Sequence, residues 1–193
     1  MTYRQPLEEA EKGFELAAKR KTAKILFNCK EGKMAEPSRA KVKVSELYQV
    51  GIVVQDLMKS IEHYQNTFGI GPWEVITLDA STLSDMTYHG RPAHHSFRIA
   101  FTMVGQMQLE LLQPLEGDNI FSDFLKQHGE GLHHLGHLRV DNLVEAIQTL
   151  EKEGFPCLQS GRFPGGGYAY IDTVKTLGFI IELLEMSGGN ASA

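Results

Sequence analysis

The apolar positions of this chain repeat over two stretches. Residues 47–54 and 132–140 are strand-like apolar runs in which Leu and Gly recur at an offset of 85 residues. A helical pattern follows each run, over residues 57–68 and 143–153, and a glycine stands just after each pattern, where helices commonly end. The chain is therefore expected to contain two copies of one structural unit.

The two copies also agree at their far ends. A glutamate followed by two leucines closes each copy, at residues 110–112 and 182–184, and strand candidates lie between the helix and this final strand. Each copy then contains one strand, one helix and three strands. We predict an α+β fold of two tandem βαβββ modules, over about residues 45–116 and 131–187. Together they form a curved mixed sheet with a concave metal-binding face.

The two ends of the chain do not follow this repeat. Residues 7–26 carry an amphipathic helical pattern, and few large apolar residues follow it up to residue 44. The last six residues, 188–193, are small or polar. We therefore predict a helical arm and linker over residues 1–44, a folded domain over 45–187, and a disordered tail.

Four polar residues fall at equivalent positions of the two copies. Gln49 and His134 each precede a glycine by two residues, and Glu110 and Glu182 each lie in an apolar final strand. Because strand side chains alternate between faces, these four should meet on the concave face. Buried carboxylates are costly unless they are paired or bind a cation. One nitrogen and three oxygens suit a divalent ion such as Zn, Co, Ni, Mn or Fe.

Other interpretations of these residues are open at this point. The two glutamates could face solvent, and His134 could be a hydrogen-bonded core residue. Each alternative is common for a single residue, but matching positions in a repeat favour a site. The same alternation predicts that His133 and His137 face away from His134, and that Leu138 shares its face.

Composition and charge exclude some classes of function. The net charge is -5, and the 19 basic residues form no stripe, so nucleic acid is not an expected partner. No apolar run is long enough to span a bilayer, so no membrane association is expected. The start of the chain lacks an apolar signal region, which predicts a cytoplasmic protein.

These segments resemble the vicinal oxygen chelate superfamily, which includes glyoxalases, bleomycin resistance proteins and dioxygenases. Within it, methylmalonyl-CoA epimerase-like proteins are the most similar. The resemblance covers about residues 47–185 and is carried by residues 50–57, 110–115, 131–135 and 178–183. It implies a divalent metal ion, a small-molecule substrate such as an acyl-CoA, and a homodimer.

The resemblance also implies roles for individual residues. The metal positions of the superfamily correspond to Gln49, Glu110, His134 and Glu182. Glu182 would be a base as well as a ligand. The second base of an epimerase aligns with His94, or with His95 if the alignment slips by one residue.

The donor set departs from that of the epimerases. Epimerases usually carry His where Gln49 stands and often Gln where Glu110 stands. The set is more similar to that of eukaryotic zinc glyoxalases, but these have a glutathione-binding Arg where this chain has Val53. We therefore expect a metal-dependent, epimerase-like isomerase that abstracts a proton next to a carbonyl group. The alternatives are a glyoxalase-type lactoylglutathione lyase and a non-catalytic small-molecule-binding protein.

Overall fold

The computed structural model describes residues 2–6, 24–28 and 40–186. The chain divides into one unit up to Ala40 and a second from Lys41 onward. In the first unit, strands β1 (Thr2–Pro6) and β2 (Lys24–Asn28) pair in parallel. The helix predicted over residues 7–26 lies mostly outside the described residues. Its last three residues are in β2 instead, where the sequence Ile-Leu-Phe favours a strand. The predicted tail, residues 188–193, also lies outside the described residues.

Residues 40–186 form four helices and ten strands. The helices are α1 (Leu57–Phe68), α2 (Ile120–His128), α3 (Leu143–Lys152) and α4 (Val174–Leu177). The strands are β3 (Gln49–Val53), β4 (Glu74–Leu78), β5 (Ser84–Tyr88), β6 (Arg91–Pro92), β7 (Phe97–Val104), β8 (Met107–Pro114), β9 (Gly131–Arg139), β10 (Cys157–Phe163), β11 (Gly166–Ile171) and β12 (Ile180–Met186). None of the helices that the structure describes has the length and apolar character that crossing a bilayer requires.

The strands of this unit form one mixed sheet in the order β4-β7-β8-β3-β9-β12-β11-β10-β5-β6. The first module consists of β3, α1, β4, β7 and β8, and the second of β9, α3, β10, β11 and β12. Strands β3 and β9 pair antiparallel at the centre, and β8 and β12 lie on either side, each parallel to its central neighbour. The predicted α+β fold of two tandem βαβββ modules is confirmed.

One hairpin was not expected from the sequence. Strands β5 and β6 follow β4 in the first module, but β5 pairs with β10, the outer strand of the second module. Residues 81–92 are largely polar and carry no apolar run that would indicate strands. Two of their apolar side chains, Leu83 and Met86, are nevertheless buried. The chain therefore passes from β4, at one edge of the sheet, to the β5–β6 hairpin at the other edge, and the two buried side chains lie on the inner face.

The module helices pack on the outer face of the sheet, and a polar side chain caps the start of each helix. The Asp56 side chain accepts from the backbone N–H of Lys59 at the start of α1, and Gly69 ends that helix with φ 66°. Asn142 caps α3 in the same way. Leu57 of α1 and Leu143 of α3 are buried against the outer sides of the two modules.

A second apolar layer fills much of the inner face. It combines side chains from the sheet, from the β5 hairpin and from α2, which joins the two modules. Its buried members are Val53, Leu83, Met86, Phe97, Ile99, Leu112, Ile120, Phe121, Tyr168 and Tyr170. Buried polar groups on this face share it with these apolar side chains, and a low local dielectric strengthens their electrostatic interactions.

Candidate functional site

Four buried polar side chains converge on the inner face of the four central strands. From Nε2 of His134, Oε1 of Gln49 lies at 3.3 Å, Oε2 of Glu110 at 3.5 Å and Oε2 of Glu182 at 3.9 Å. Their exposed fractions are 2%, 6% and 6% for the three oxygen-bearing residues and 0% for His134. The structure thus brings together the four residues singled out in the sequence, and it excludes the solvent-facing alternative for the glutamates.

Two glycines make room for this cluster. In the β3–β9 pair, Gly51 lies opposite His134 and Gly136 lies opposite Gln49. A Cβ atom on Gly51 would lie 2.0 Å from Cε1 of His134. A Cβ atom on Gly136 would lie 2.0 Å from Oε1 of Gln49 and 2.5 Å from Oε2 of Glu182. Each module therefore supplies a polar side chain and the empty space that the other module's side chain occupies.

Strand β9 is irregular at two points, and both affect the site. Its pairing with β3 shifts at His133, and its pairing with β12 shifts near His137, which has φ 58°. The first shift puts His133 on the inner face, where its Nδ1 lies 3.0 Å from Nδ1 of His134. The second turns Leu138 to the outer layer. The predicted orientations of His133 and Leu138 are therefore wrong, because a bulge inserts one residue and reverses the alternation beyond it.

The carboxyl group of Glu182 is held by two donors. The hydroxyl of Tyr170 and the backbone N–H of His137 both donate to it, so the bulge at His137 helps to orient this side chain. The amide of Gln49 is oriented in turn by Gln108, whose Oε1 accepts from Nε2 of Gln49 at 2.8 Å. The Oε1 atom of Gln49 is thereby turned toward the cluster.

Two oxygen atoms of the site lack a hydrogen-bond partner among the described residues: Oε2 of Glu110 and Oε2 of Glu182. Burial raises the pKa of Glu110 to about 8 and that of Glu182 to about 7, where His134 opposes the effect of burial. Burial lowers the pKa of His134. Two carboxyl groups with raised pKa values beside a neutral imidazole form an arrangement that a positive charge would stabilise.

The donor set fits a divalent cation in number and chemistry. A tetrahedral shell with metal–ligand distances of 2.0–2.1 Å places its donors about 3.3 Å apart, close to the separations around Nε2 of His134. Within residues 40–186, His and Glu side chains alone do not form a ready-made metal cluster. The amide oxygen of Gln49 lies outside that set of side chains, and it is the closest of the three oxygens to Nε2 of His134.

His94 is not part of this cluster. Its side chain is exposed and lines a surface depression of about 600 Å³ that includes none of the four residues. The adjacent strand β7 begins at Phe97, and its residue opposite Glu110 is Phe101. Phe97 and Phe101 are four residues apart along β7, which corresponds to about 13 Å. His95 is buried and packs near Phe97, with ring centroids 6.0 Å apart.

Three residues of the site were not recognised as such from the sequence: Gln108, His133 and Tyr170. Gln108 precedes Glu110 by two residues on β8, so alternation alone could have placed it on the same face. Tyr170 lies directly opposite Glu182 in the β11–β12 pair, which only the strand register reveals. No sequence signal indicates the bulge that moves His133.

The raised carboxyl pKa values predict how stability depends on pH when no metal is bound. Burial lowers the pKa of four histidines, which are His95, His133, His134 and His137, and above about pH 7.5 histidines of the unfolded chain have also lost their protons. From there to about pH 8.5 the folded protein retains protons on Glu110, and to a smaller extent on Glu182, that the unfolded chain has already lost. The free energy of unfolding should therefore fall as pH rises through this window.

Urea unfolding of the metal-free protein at about pH 7.5, 8 and 8.5 measures this slope. The Glu110→Gln variant should show a shallower slope, since it keeps only one of the two raised carboxyls. A free energy of unfolding that rises over this range would contradict the assignment of the raised pKa values.

Comparison with known proteins identifies the family to which the chain is related. Residues 48–171 match the Glyoxalase/Bleomycin resistance protein/Dioxygenase superfamily. The uncharacterized protein YqjC of Bacillus subtilis is 27% identical over 150 residues, which cover 75% of this chain and 95% of YqjC. The mitochondrial methylmalonyl-CoA epimerase of Mus musculus is 30% identical over 112 residues, which cover 58% of this chain and 54% of the epimerase. The match thus spans about half the length of the mouse protein.

A solved structure shows the same fold. A variant of Streptomyces coelicolor methylmalonyl-CoA epimerase, in complex with 2-nitronate-propionyl-CoA, is similar with a TM-score of 0.53 and 17% identity. The similarity covers 78% of this chain and 100% of that one. The resemblance seen in the sequence is confirmed, because the matched family segment makes up more than half of the chain. The chain belongs to the glyoxalase/bleomycin resistance protein/dioxygenase superfamily.

Proposed function

We propose that this protein is a metal-dependent enzyme that abstracts a proton from carbon next to a carbonyl group, as an isomerase of the methylmalonyl-CoA epimerase type. The observation that carries the proposal is the convergence of two buried carboxyl groups with a buried amide and a buried imidazole. The mouse relative supports the epimerase assignment. The acyl-CoA analogue bound to the Streptomyces coelicolor protein supports an acyl-CoA as substrate.

We propose that Gln49, Glu110, His134 and Glu182 hold a divalent ion such as Zn, Co, Ni, Mn or Fe. When bound, such an ion supplies Lewis-acid stabilisation of the negative charge that develops on the carbonyl oxygen. The residues themselves fix the geometry. Gln108 orients the Gln49 oxygen, and the two glycines set the clearance between β3 and β9.

Glu182 is the proposed proton carrier. Its carboxyl group is buried beside the other three residues of the cluster, where it can accept and return a proton. Donation from Tyr170 and from the backbone of His137 holds the carboxyl in one orientation. The apolar layer around Val53 and Leu112 keeps bulk water away from the reacting carbon.

The second base that an epimerase requires is not assigned to His94. Its side chain is exposed and lines a surface depression that includes none of the four clustered residues. Glu110, on β8, lies on the opposite side of the central β3–β9 pair from Glu182 on β12. Among the four clustered residues, it is the other carboxyl group that can carry a proton. We propose it for the opposite face of the substrate carbon.

A glyoxalase-type lyase is the second candidate, and the Gln, Glu, His, Glu donor set favours it. Val53 opposes it. This residue is fully buried in the apolar inner layer, so it offers no charge for a glutathione carboxylate. A non-catalytic binding protein would gain little from two buried carboxyl groups, which are costly to keep.

Metal analysis combined with solvent deuterium exchange tests the proposal. The purified, metal-loaded protein should exchange the α-proton of methylmalonyl-CoA and interconvert its two epimers. The His94→Ala variant should do both at the wild-type rate. Activity on the methylglyoxal–glutathione adduct without exchange into any acyl-CoA would support the lyase instead. Loss of interconversion with retained exchange in His94→Ala would restore His94 as the second base.

The homodimer and the cytoplasmic location stay predictions.

A further inference from the structure

His133 has an environment that packing alone does not explain. It is 4% exposed, and its ring is surrounded by those of Phe121, Phe124 and Tyr170, with centroids 5.2, 5.1 and 6.1 Å away. A phenylalanine would suit these neighbours as well or better. His133 instead buries a polar Nε2 atom that has no hydrogen-bond partner among the described residues. An unpaired buried donor or acceptor is destabilising, so neither packing nor stability accounts for an imidazole at this position.

The contact between the two adjacent histidines supplies that reason. Nδ1 of His133 lies 3.0 Å from Nδ1 of His134. At this distance one nitrogen carries a hydrogen and the other offers its lone pair. Nε2 of His134 faces the three oxygens of the site. If Nε2 is to bind a cation it must present a lone pair, so the hydrogen of this ring must lie on Nδ1.

We propose that His133 is a positioning residue for the cation site: its Nδ1 accepts the Nδ1 hydrogen of His134 and so turns the Nε2 lone pair of His134 toward the site. The inference rests on the proposed function, because it assumes that His134 is a metal ligand. It explains the bulge at His133, which puts two consecutive side chains on the same face. It also assigns the hydrogen of His133 to Nε2.

The aromatic side chains around His133 complete the arrangement. Phe121 and Phe124 come from α2, and Tyr170 comes from β11. They contact His133 from separate elements and keep its ring from rotating away from His134. Tyr170 also contacts His134, with centroids 5.0 Å apart, and donates to Glu182. The orientation of two proposed ligands is thus set by one group of buried rings.

Zinc affinity of matched variants tests the inference. His133→Phe fits the aromatic surroundings but removes the acceptor, which leaves the Nδ1 hydrogen of His134 unpaired. His133→Asn places an amide oxygen near the position of the lost Nδ1. Competition with a chromophoric chelator should show zinc bound about 10- to 100-fold more weakly by His133→Phe. His133→Asn should recover most of the loss. Urea unfolding of the metal-free variants reports whether each one folds.

Side-chain ¹⁵N NMR of the zinc-loaded wild-type protein gives a readout that needs no variant. His134 should be protonated on Nδ1 and His133 on Nε2. A hydrogen on Nδ1 of His133 in this state would overturn the inference, as would equal zinc affinity in folded His133→Phe. In both cases the proposed function would stand, since wild-type protein still binds zinc. If wild-type protein binds no divalent ion, the metal site itself is wrong, and the inference is wrong with it.

Discussion

Replacing Gly51 with alanine should remove tight metal binding while leaving every proposed ligand in place. The new Cβ would lie 2.0 Å from Cε1 and 2.4 Å from Nε2 of His134, whose ring is fully buried and cannot move into solvent. Either the ring rotates out of the cluster or β3 and β9 separate. We expect about a 100-fold loss of zinc affinity, which is the upper end of the range for disturbed ligand orientation. Overpacking should also lower stability by about 1–3 kcal/mol.

Gly131→Ala is the matched control. Gly131 lies on β9 opposite Val53, in the same strand pair, and an added Cβ would meet nothing within 4 Å. Zinc titration and urea unfolding of the two variants separate the loss of clearance at the site from the general effect of a glycine replacement in a strand. Wild-type zinc affinity in Gly51→Ala would mean that the His134 ring does not lie over this glycine.

Glu182→Gln should abolish interconversion of the two epimers of methylmalonyl-CoA, and the exchange from the epimer whose proton Glu182 takes, without emptying the site. The amide of the new glutamine keeps an oxygen that can serve as a metal ligand, as proposed for Gln49. It cannot accept the proton of the substrate. Loss of a general base typically lowers the rate by about 10²- to 10⁴-fold. Metal content after purification and deuterium exchange into methylmalonyl-CoA, measured on the same sample, give the two quantities separately.

Glu185→Gln provides the control on the same strand. Glu185 accepts from Arg162 at 2.6 Å and from the backbone of Leu143, away from the four clustered residues. Its replacement makes the same chemical change on β12 and should reduce stability without slowing exchange. Undiminished exchange in Glu182→Gln with full metal content would remove Glu182 from the role of base.

The sequence predicts the fold and the position of the site because both depend on regular periodicity. The repeat identifies the two modules, and alternation along β3 and β9 puts Gln49 and His134 on one face. The prediction fails where periodicity is interrupted. A bulge reverses the orientation of His133, and a left-handed backbone at His137 moves Leu138 to the outer layer. Neither feature leaves a pattern of apolar and polar residues.

Residues outside regular strands are placed poorly for a related reason. His94 lies in the segment between β6 and β7, where no alternation fixes the direction of a side chain. The β5–β6 hairpin belongs to one module by sequence and pairs with the other, so no local signal predicts its partner. These placements depend on contacts between residues that are far apart in the sequence. Local patterns of apolar and polar residues carry no information about such contacts.

The reciprocal glycines bear on how such a chain could have arisen. Each half contributes one polar residue and one vacancy for its counterpart, arranged about an approximate dyad. A single ancestral module would need only one polar residue and one glycine two positions later on this strand. Two identical copies paired antiparallel through the strand would then form both side-chain–glycine contacts. Gene duplication and fusion would then join two halves that already fit each other at this strand pair. Later divergence could have introduced the present difference between Gln49 and His134, provided that both glycines remained.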